Sequence, residues 1–306
     1  MRNAFAKKIT SLARKNKRIV LLAGDIGNRL FDEFKENFPN RFYNCGVAEA
    51  HMTGLAAGLA HSGLIPVTYT IAPFNTFKCI EQIKIDICYQ NLPVIIVGTG
   101  AGLSYSPLGA THQSLEDIAM LRSLPNINVL CPADKFEVES ILEVLIKNPR
   151  PTYLRIGKKG EPLVHKKNII NKVKIGKNII INKGKDIAII GVGNMVWTAL
   201  QCAKILETKG LTVSVESMHS VKPLDKNRLK IVFSKFKKIY VIEEHSLIGG
   251  AGSTILEFCN HNNISSDKVR CFGTPDKFTI GLGSQIEARK QYNLNAESIV
   301  RQMLQR

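Results

Sequence analysis

The chain has 306 residues, 44% hydrophobic and 22% charged, with 42 Lys and Arg against 25 Asp and Glu for a formal net charge of +17. That length admits one large or two ordinary domains, and no apolar run reaches the roughly 18 residues of a membrane span. The basic residues are spread among Asn and Ile without interleaved aromatics, so an anionic substrate or an acidic partner subunit is expected, and neither nucleic acid nor a membrane.

"MRNAFAKKITSLARKNKR" reads as an amphipathic first helix, with Ala4, Phe5, Ile9, Leu12 and Ala13 on one face, rather than a signal peptide. "RIVLLAGD" (18–25), "LIPVTYT" (64–70), "PVIIVGTG" (93–100), "INVLCPAD" (127–134) and "PTYLRIG" (151–157) read as buried strands. Helical spacing runs between them over 74–90, 113–125 and 135–148. This rhythm predicts an α/β fold with mostly parallel sheets and helices on both faces. Nine Lys between 157 and 185 break it, and a hairpin is expected around "VKIGKNIII". A second α/β unit follows, with a strand over 186–195, a helix over 196–210, a strand and turn over 211–225, a strand, Gly-rich loop and helix over 237–262, and a final strand over 268–276. The expected division is a first domain over 1–165, a linker over 166–185 and a second domain over 186–306.

The seven cysteines are scattered without a Cys-x-x-Cys pair, which fits reduced thiols in a cytoplasmic protein and gives no metal ligand set in this chain. "GVGNM" (191–195) and "GGAGS" (249–253) each join a strand to a helix. Such loops can bind phosphate through backbone N–H groups, but both lack a full dinucleotide or P-loop spacing, and tight turns are the stronger reading. Glu49 opens a run of small and apolar residues, where the helix dipole favours an acid by about 0.3–1 kcal/mol. Gly54 and Gly58 behind it would admit a close backbone neighbour, from the core or another subunit. His112 follows a small-residue loop at the C-terminal end of a predicted strand, where α/β proteins place ligands.

Taken in order, "YNCGVAEAHMTGLAAGLAHSGLIPVTYT", "EQIKIDICYQNLPVIIVG", "GATHQSLEDIAMLRSLPNINVLCPAD" and "IEEHSLIGGAGSTILE" resemble the C-terminal half of transketolases. More closely, they are similar to the C-terminal subunit of a split transketolase, over about residues 17–300. The resemblance implies a pyrimidine-binding domain followed by a transketolase C-terminal domain, using thiamine diphosphate with a divalent metal, usually Mg2+. It implies that Glu49 contacts N1′ of the aminopyrimidine ring, that Phe74, or else Phe77, stacks on that ring, and that Asp25 lies near the cofactor. It implies His112 as the residue that hydrogen-bonds substrate oxygens, and Arg155 and Lys158 as basic residues near a substrate phosphate. Helix capping for Asp25, core packing for the two Phe and solvated surface charge for the basic pair are the plainer readings of those residues.

Two departures bear on the expected activity. The family's Gly-Asp-Gly…Asn motif for metal and diphosphate is absent, and "GDIG" (24–27) does not replace it. An N-terminal partner subunit carrying that motif is therefore expected, in an α2β2 assembly within which this chain also pairs with itself. Leu108 stands where sugar-phosphate transketolases carry an Asp four residues before the His; losing its bond to a sugar hydroxyl would cost about 1–3 kcal/mol and implies a changed substrate. The expected activity is transfer of a two-carbon ketol unit from a ketose donor to an aldehyde or ketone acceptor, on sugars or sugar phosphates. The loop is similar to those of subunits in unusual-sugar or surface-carbohydrate biosynthesis. Two alternatives remain: the beta subunit of a 2-oxo acid decarboxylase or dehydrogenase, or a deoxyxylulose phosphate synthase-like enzyme; and a non-catalytic scaffold or basic binding module.

Overall fold

The computed structural model describes residues 1–27, 29–165, 173–278, 281 and 283–305. Runs of β-branched residues form the strands, because those side chains pack well on a pleated surface. The first half gives α1 (Arg2–Lys15), β1 (Ile19–Ala23), α2 (Asp32–Asn37), β2 (Phe42–Asn44), α3 (Glu49–His61) and β3 (Ile65–Ile71). It continues with α4 (Ile80–Gln82), β4 (Ile95–Thr99), α5 (Asp117–Arg122), β5 (Asn128–Leu130), α6 (Lys135–Lys147) and β6 (Thr152–Ile156). The second half gives β7 (Ile179–Asn182), β8 (Ile187–Gly191), α7 (Met195–Glu207), β9 (Val213–Ser217), β10 (Ser220–Lys222) and α8 (Lys226–Lys235). Last come β11 (Lys238–Ser246), α9 (Ala251–His261), β12 (Val269–Thr274), α10 (Gln285–Gln291) and α11 (Ala296–Leu304).

Two sheets result. The first runs in the order β10-β5-β6-β4-β3-β1-β2 and the second in the order β12-β11-β8-β9-β7. All neighbours are parallel except β10 against β5 and β7 against β9. Parallel sheets need both faces covered, and here α1 and α6 cover one face of the first sheet, burying Phe5, Ile9, Val138 and Leu142 together with Ile19, Val67 and Leu154.

Four expectations change. On α1 the buried residues are Phe5, Ala6, Ile9, Thr10 and Ala13, so Ala4 and Leu12 lie at the edge of the stripe. The helix expected over 74–90 is irregular, a 3-10 turn (Phe77–Cys79) running through α4 into a π-helix (Ile83–Tyr89). Around "VKIGKNIII" no hairpin forms among the described residues, since β7 pairs antiparallel with β9 as an edge of the second sheet. Residues 166–172 of the expected linker lie outside the described residues. Finally, β10 leaves the second half of the chain and joins the first sheet, so the two halves share a sheet edge.

Candidate active site

Adjacent strands of the first sheet end side by side and carry the expected residues on the loops that follow, the position where parallel sheets bind ligands. Glu49 is the first residue of α3, and its N-cap, Ala48, offers no side-chain bond to the helix. The carboxylate is 2% exposed, deeper than a capping acid requires. Gly24, just after β1, makes room for it. A Cβ at Gly24 would lie 3.1 Å from Thr70 Cβ and 3.5 Å from Glu49 Cγ. Beside this cradle the Thr70 hydroxyl is buried with no hydrogen-bond partner among the described residues.

Lys78 reaches in from the turn that follows Phe74 and Phe77. Its Nζ donates to Glu49 Oε2 at 3.1 Å and lies 5.0 Å from the centroid of the Phe74 ring. Phe74 in turn meets the His112 ring edge-to-face at 5.1 Å, and the Tyr105 ring also lies edge-to-face with it at 6.2 Å. Thr111 Oγ1 sits 2.9 Å from His112 Nδ1. Lys158 Nζ lies 4.3 Å from the Tyr105 ring centroid. Glu49, Lys78, Phe74, His112, Tyr105 and Lys158 thus form one contiguous set at the strand ends. Burial pushes the Cys79 thiol beneath it up, and the neighbouring Glu49 charge acts in the same direction.

Asp25 adopts φ +53°, a conformation open to Asp through local hydrogen bonding. It does not cap a helix. Its Oδ1 accepts from Asn44 Nδ2 at 3.0 Å, and its N–H donates to Asn44 Oδ1 at 3.2 Å, locking the end of β1 to β2 beside Gly24. Phe77 is 40% exposed, so Phe74 is the ring placed between Lys78 and His112. Leu108 is 55% exposed on the same loop as His112.

Arg155 corrects the sequence reading. It is not a solvated surface charge, being only 6% exposed. Its Nε donates to Asp117 Oδ2 at 2.8 Å, and its Nη2 donates to the carbonyls of Ser114 at 2.8 Å and Glu244 at 3.0 Å. Asp117 also accepts from Tyr153 OH at 2.6 Å. Burial raises the Asp117 pKa, but Arg155, His245 and the two hydrogen bonds outweigh it and hold the carboxyl below its ordinary value.

The Gly-rich loops are tight turns. Glu243 fills the N-terminus of α9, accepting from Ala251 N–H at 2.7 Å and Gly252 N–H at 2.9 Å. The protein's own carboxylate occupies the place a phosphate would take, and burial pushes it up to about 7. At "GVGNM", a Cβ on Gly191 would lie 2.7 Å from Val196 Cα, so the glycine is needed for close strand-to-helix packing.

His245 beside this network gives a pH prediction. Burial lowers its pKa to about 4 from 6.5, so between these values the unfolded chain takes up a proton that the folded one does not. Its contribution is complete above pH 6.5 and is lost as pH falls toward 4. In urea titrations the stability advantage of the wild type over His245→Asn should shrink by up to about 3 kcal/mol across that window. A constant difference would contradict the buried, neutral imidazole.

Sequence reasoning missed Lys78, Tyr105 and the acid pair Glu243 and Glu244. The only available signals were a lone Lys in "APFNTFKC" and two acids closing an otherwise apolar strand in "YVIEEHS".

Comparison with known proteins identifies both halves of the chain. Residues 1–161 match the transketolase pyrimidine-binding domain and residues 176–299 the transketolase C-terminal domain. An apulose-4-phosphate transketolase subunit of Phocaeicola vulgatus is 34% identical over 305 residues, 99% of this chain and 96% of that protein. A 1-deoxy-D-xylulose-5-phosphate synthase of Halothermothrix orenii is 34% identical over 98% of this chain but only 47% of its own length. A solved split-gene transketolase, described as an inactive beta4 tetramer, superposes with a TM-score of 0.89 at 34% identity, over 98% of this chain and 95% of that one. With Glu49, Phe74 and His112 gathered at the strand ends of a pyrimidine-binding domain, the chain belongs to the transketolase family of thiamine diphosphate-dependent transferases, as the C-terminal subunit of a split enzyme.

Proposed function

We propose that this chain supplies the pyrimidine-binding half of a site completed by an N-terminal subunit, and that the complex moves a two-carbon ketol unit from a ketose to an aldehyde or ketone acceptor. The observation that carries the reading is the convergence of a buried acid, an aromatic ring and a histidine within one contiguous set. Thiamine diphosphate, when bound, supplies the carbon nucleophile for the donor. The residues fit its pyrimidine end. Glu49 sits in a cradle that Gly24 keeps open, and it can share a proton with a ring nitrogen. Phe74 offers a ring face beside it. His112 has Thr111 at Nδ1, which leaves Nε2 for a substrate oxygen. Asp25 and Asn44 fix the loop next to the cradle. Lys158, on the rim beside Tyr105, is the basic residue placed to meet an anionic substrate.

The missing Gly-Asp-Gly…Asn motif supports a reading in which the partner holds Mg2+ and the diphosphate. Self-association within an α2β2 assembly is supported by α3, where a Cβ on Gly54 or Gly58 would meet nothing within 4 Å. The glycine pair therefore faces away from this chain's core, and Val47, Leu55, Ile85 and Tyr89 are exposed on that segment and the adjoining π-helix. A reducing cytoplasm suits the seven free cysteines, several of them pushed up to about 11 or 12 by burial.

Co-expression with the N-terminal subunit, followed by a donor and acceptor screen by mass with thiamine diphosphate and Mg2+, tests the reading. Ketol transfer from a ketose is the expected result; decarboxylation of pyruvate without it would select the synthase-like alternative. Leu108 decides selectivity within the first outcome. Leu108→Asp restores an acceptor for a sugar hydroxyl and should raise kcat/KM for common ketose phosphates roughly tenfold. No gain would remove Leu108 from substrate recognition.

A further inference from the structure

The loop over residues 100–116 carries Tyr105, Leu108 and His112, and the C-terminal half of the chain grips both of its ends. At the entry, Glu244 Oε1 accepts the Leu103 N–H at 2.7 Å. The same carboxylate is fixed from behind by Gln285 Nε2 at 2.8 Å and by Arg289 Nε, both on α10. Gly102, at φ +65°, makes this approach feasible, because a Cβ there would lie 2.4 Å from Glu244 Oε1. Ser106 Oγ donates to the Gly283 carbonyl at 2.8 Å. At the exit, Ser246 N–H donates to the Leu115 carbonyl at 2.7 Å. Arg155 Nη2 bridges the carbonyls of Ser114 and Glu244. The two ends are also tied to each other, Gly102 and Ser114 exchanging both main-chain bonds at 3.1 and 3.0 Å.

Between these pins lies the crown of the loop. Its main-chain bonds are local, Leu108 to Tyr105, Gly109 to Ser106, and His112 and Gln113 to Gly109. The imidazole of His112 therefore inherits its position from the two pinned ends, apart from its ring contacts with Phe74 and Tyr105. A buried carboxylate with three side-chain and main-chain donors is a stiff anchor, and small displacements of a substrate-binding group are costly to rate.

We propose that Glu244 and Arg155 are positioning residues, a clamp in which Glu244 of the C-terminal domain, bridged to the loop's exit by Arg155 of the first sheet, sets where His112 stands. This gives that domain a direct part in the site although none of its side chains belongs to the contiguous set. The inference rests on the reading of His112 as a substrate-binding residue, and two separate measurements keep the two apart.

Glu244→Gln removes the charge that holds Arg289 and weakens the grip on Leu103. Glu216→Gln serves as the control, since Glu216 is an equally buried carboxylate of the same domain, paired with Arg228 at 2.6 Å and outside the clamp. In hydrogen–deuterium exchange on the assembled complex, Glu244→Gln should speed amide exchange across residues 103–114 by about tenfold or more, and Glu216→Gln should not. In turnover, Glu244→Gln should lower kcat/KM for the donor about tenfold or more while thiamine diphosphate affinity stays within about twofold, because Glu49 and Phe74 are carried by other elements. Unchanged exchange in 103–114, or equal loosening by the control, overturns the clamp. A loosened loop with unchanged kcat/KM, in a complex that His112→Ala inactivates, overturns the positioning role. Full activity of His112→Ala would instead defeat the underlying reading of His112, while exchange still reports on the clamp.

Discussion

Glu49→Ala in the complex with the N-terminal subunit is expected to lose at least about a hundredfold in turnover, with assembly and thermal stability close to wild type. The size follows from what a positioned acid–base group contributes, roughly 10²–10⁴ in rate. The retained stability follows from the site, where among the described residues the carboxylate has one cationic partner, the half-exposed Lys78, and no cap bond to the helix it begins. Removing it therefore strands no buried charge. Steady-state turnover with saturating thiamine diphosphate and Mg2+, alongside gel filtration and a melting curve, checks both halves. Wild-type turnover in the variant would remove Glu49 from the chemistry, and loss of assembly would make it a structural residue.

Arg155→Met should cost about 3–5 kcal/mol in urea denaturation, because it leaves Asp117 buried with its counter-charge gone. Asp117 is fully buried and Arg155 nearly so, which is the condition under which a broken pair is most costly. The double variant Arg155→Met with Asp117→Asn leaves no unpaired charge and should recover a good part of that loss. The pH dependence has a definite sign. Asp117 is held below the ordinary carboxylate range, so the contribution of the pair is present above that range and is lost as pH falls through the depressed value. A cost under about 1 kcal/mol for Arg155→Met would show that the network is not a stability element.

The residues that nucleate strands and helices could be read along the chain because their signals are local. β1, β3, β4, β6 and β8 are short apolar runs ended by Gly, Asp or Pro, and each falls on the stretch expected of it, with β3 running on to Ile71. α6 begins at an Asp134 side chain that accepts from two N–H groups, a start signal visible in "PADKFEVE". β2 was not read, since its three residues are half-buried to exposed and lack an apolar run, whereas β10 lies inside the expected stretch 211–225 but takes its place only by pairing with a strand from the other half of the chain. The segment over 80–89 had helical spacing, yet its apolar residues settle into a π-helical turn that follows the packing rather than the period.

The site divides in the same way. Glu49, Phe74, His112 and Leu108 stand in short stretches that resemble transketolases, and that resemblance is what pointed to thiamine diphosphate chemistry and to a partner holding the metal. Arg155 shows where that reasoning ends. A basic residue near the end of a strand looks alike in sequence whether it faces a phosphate or a buried carboxylate. Which of the two it meets depends on Asp117, Ser114 and Glu244, the nearest of which is 38 residues away. The local code thus determined most of the elements, because propensity and turn chemistry act over a few residues, and the resemblance carried in short motifs gave the family and the candidate site residues. The tertiary structure alone decided which charges are buried, that Lys78 meets Glu49 and that the C-terminal half grips the His112 loop, because burial and charge pairing depend on neighbours that only folding brings together.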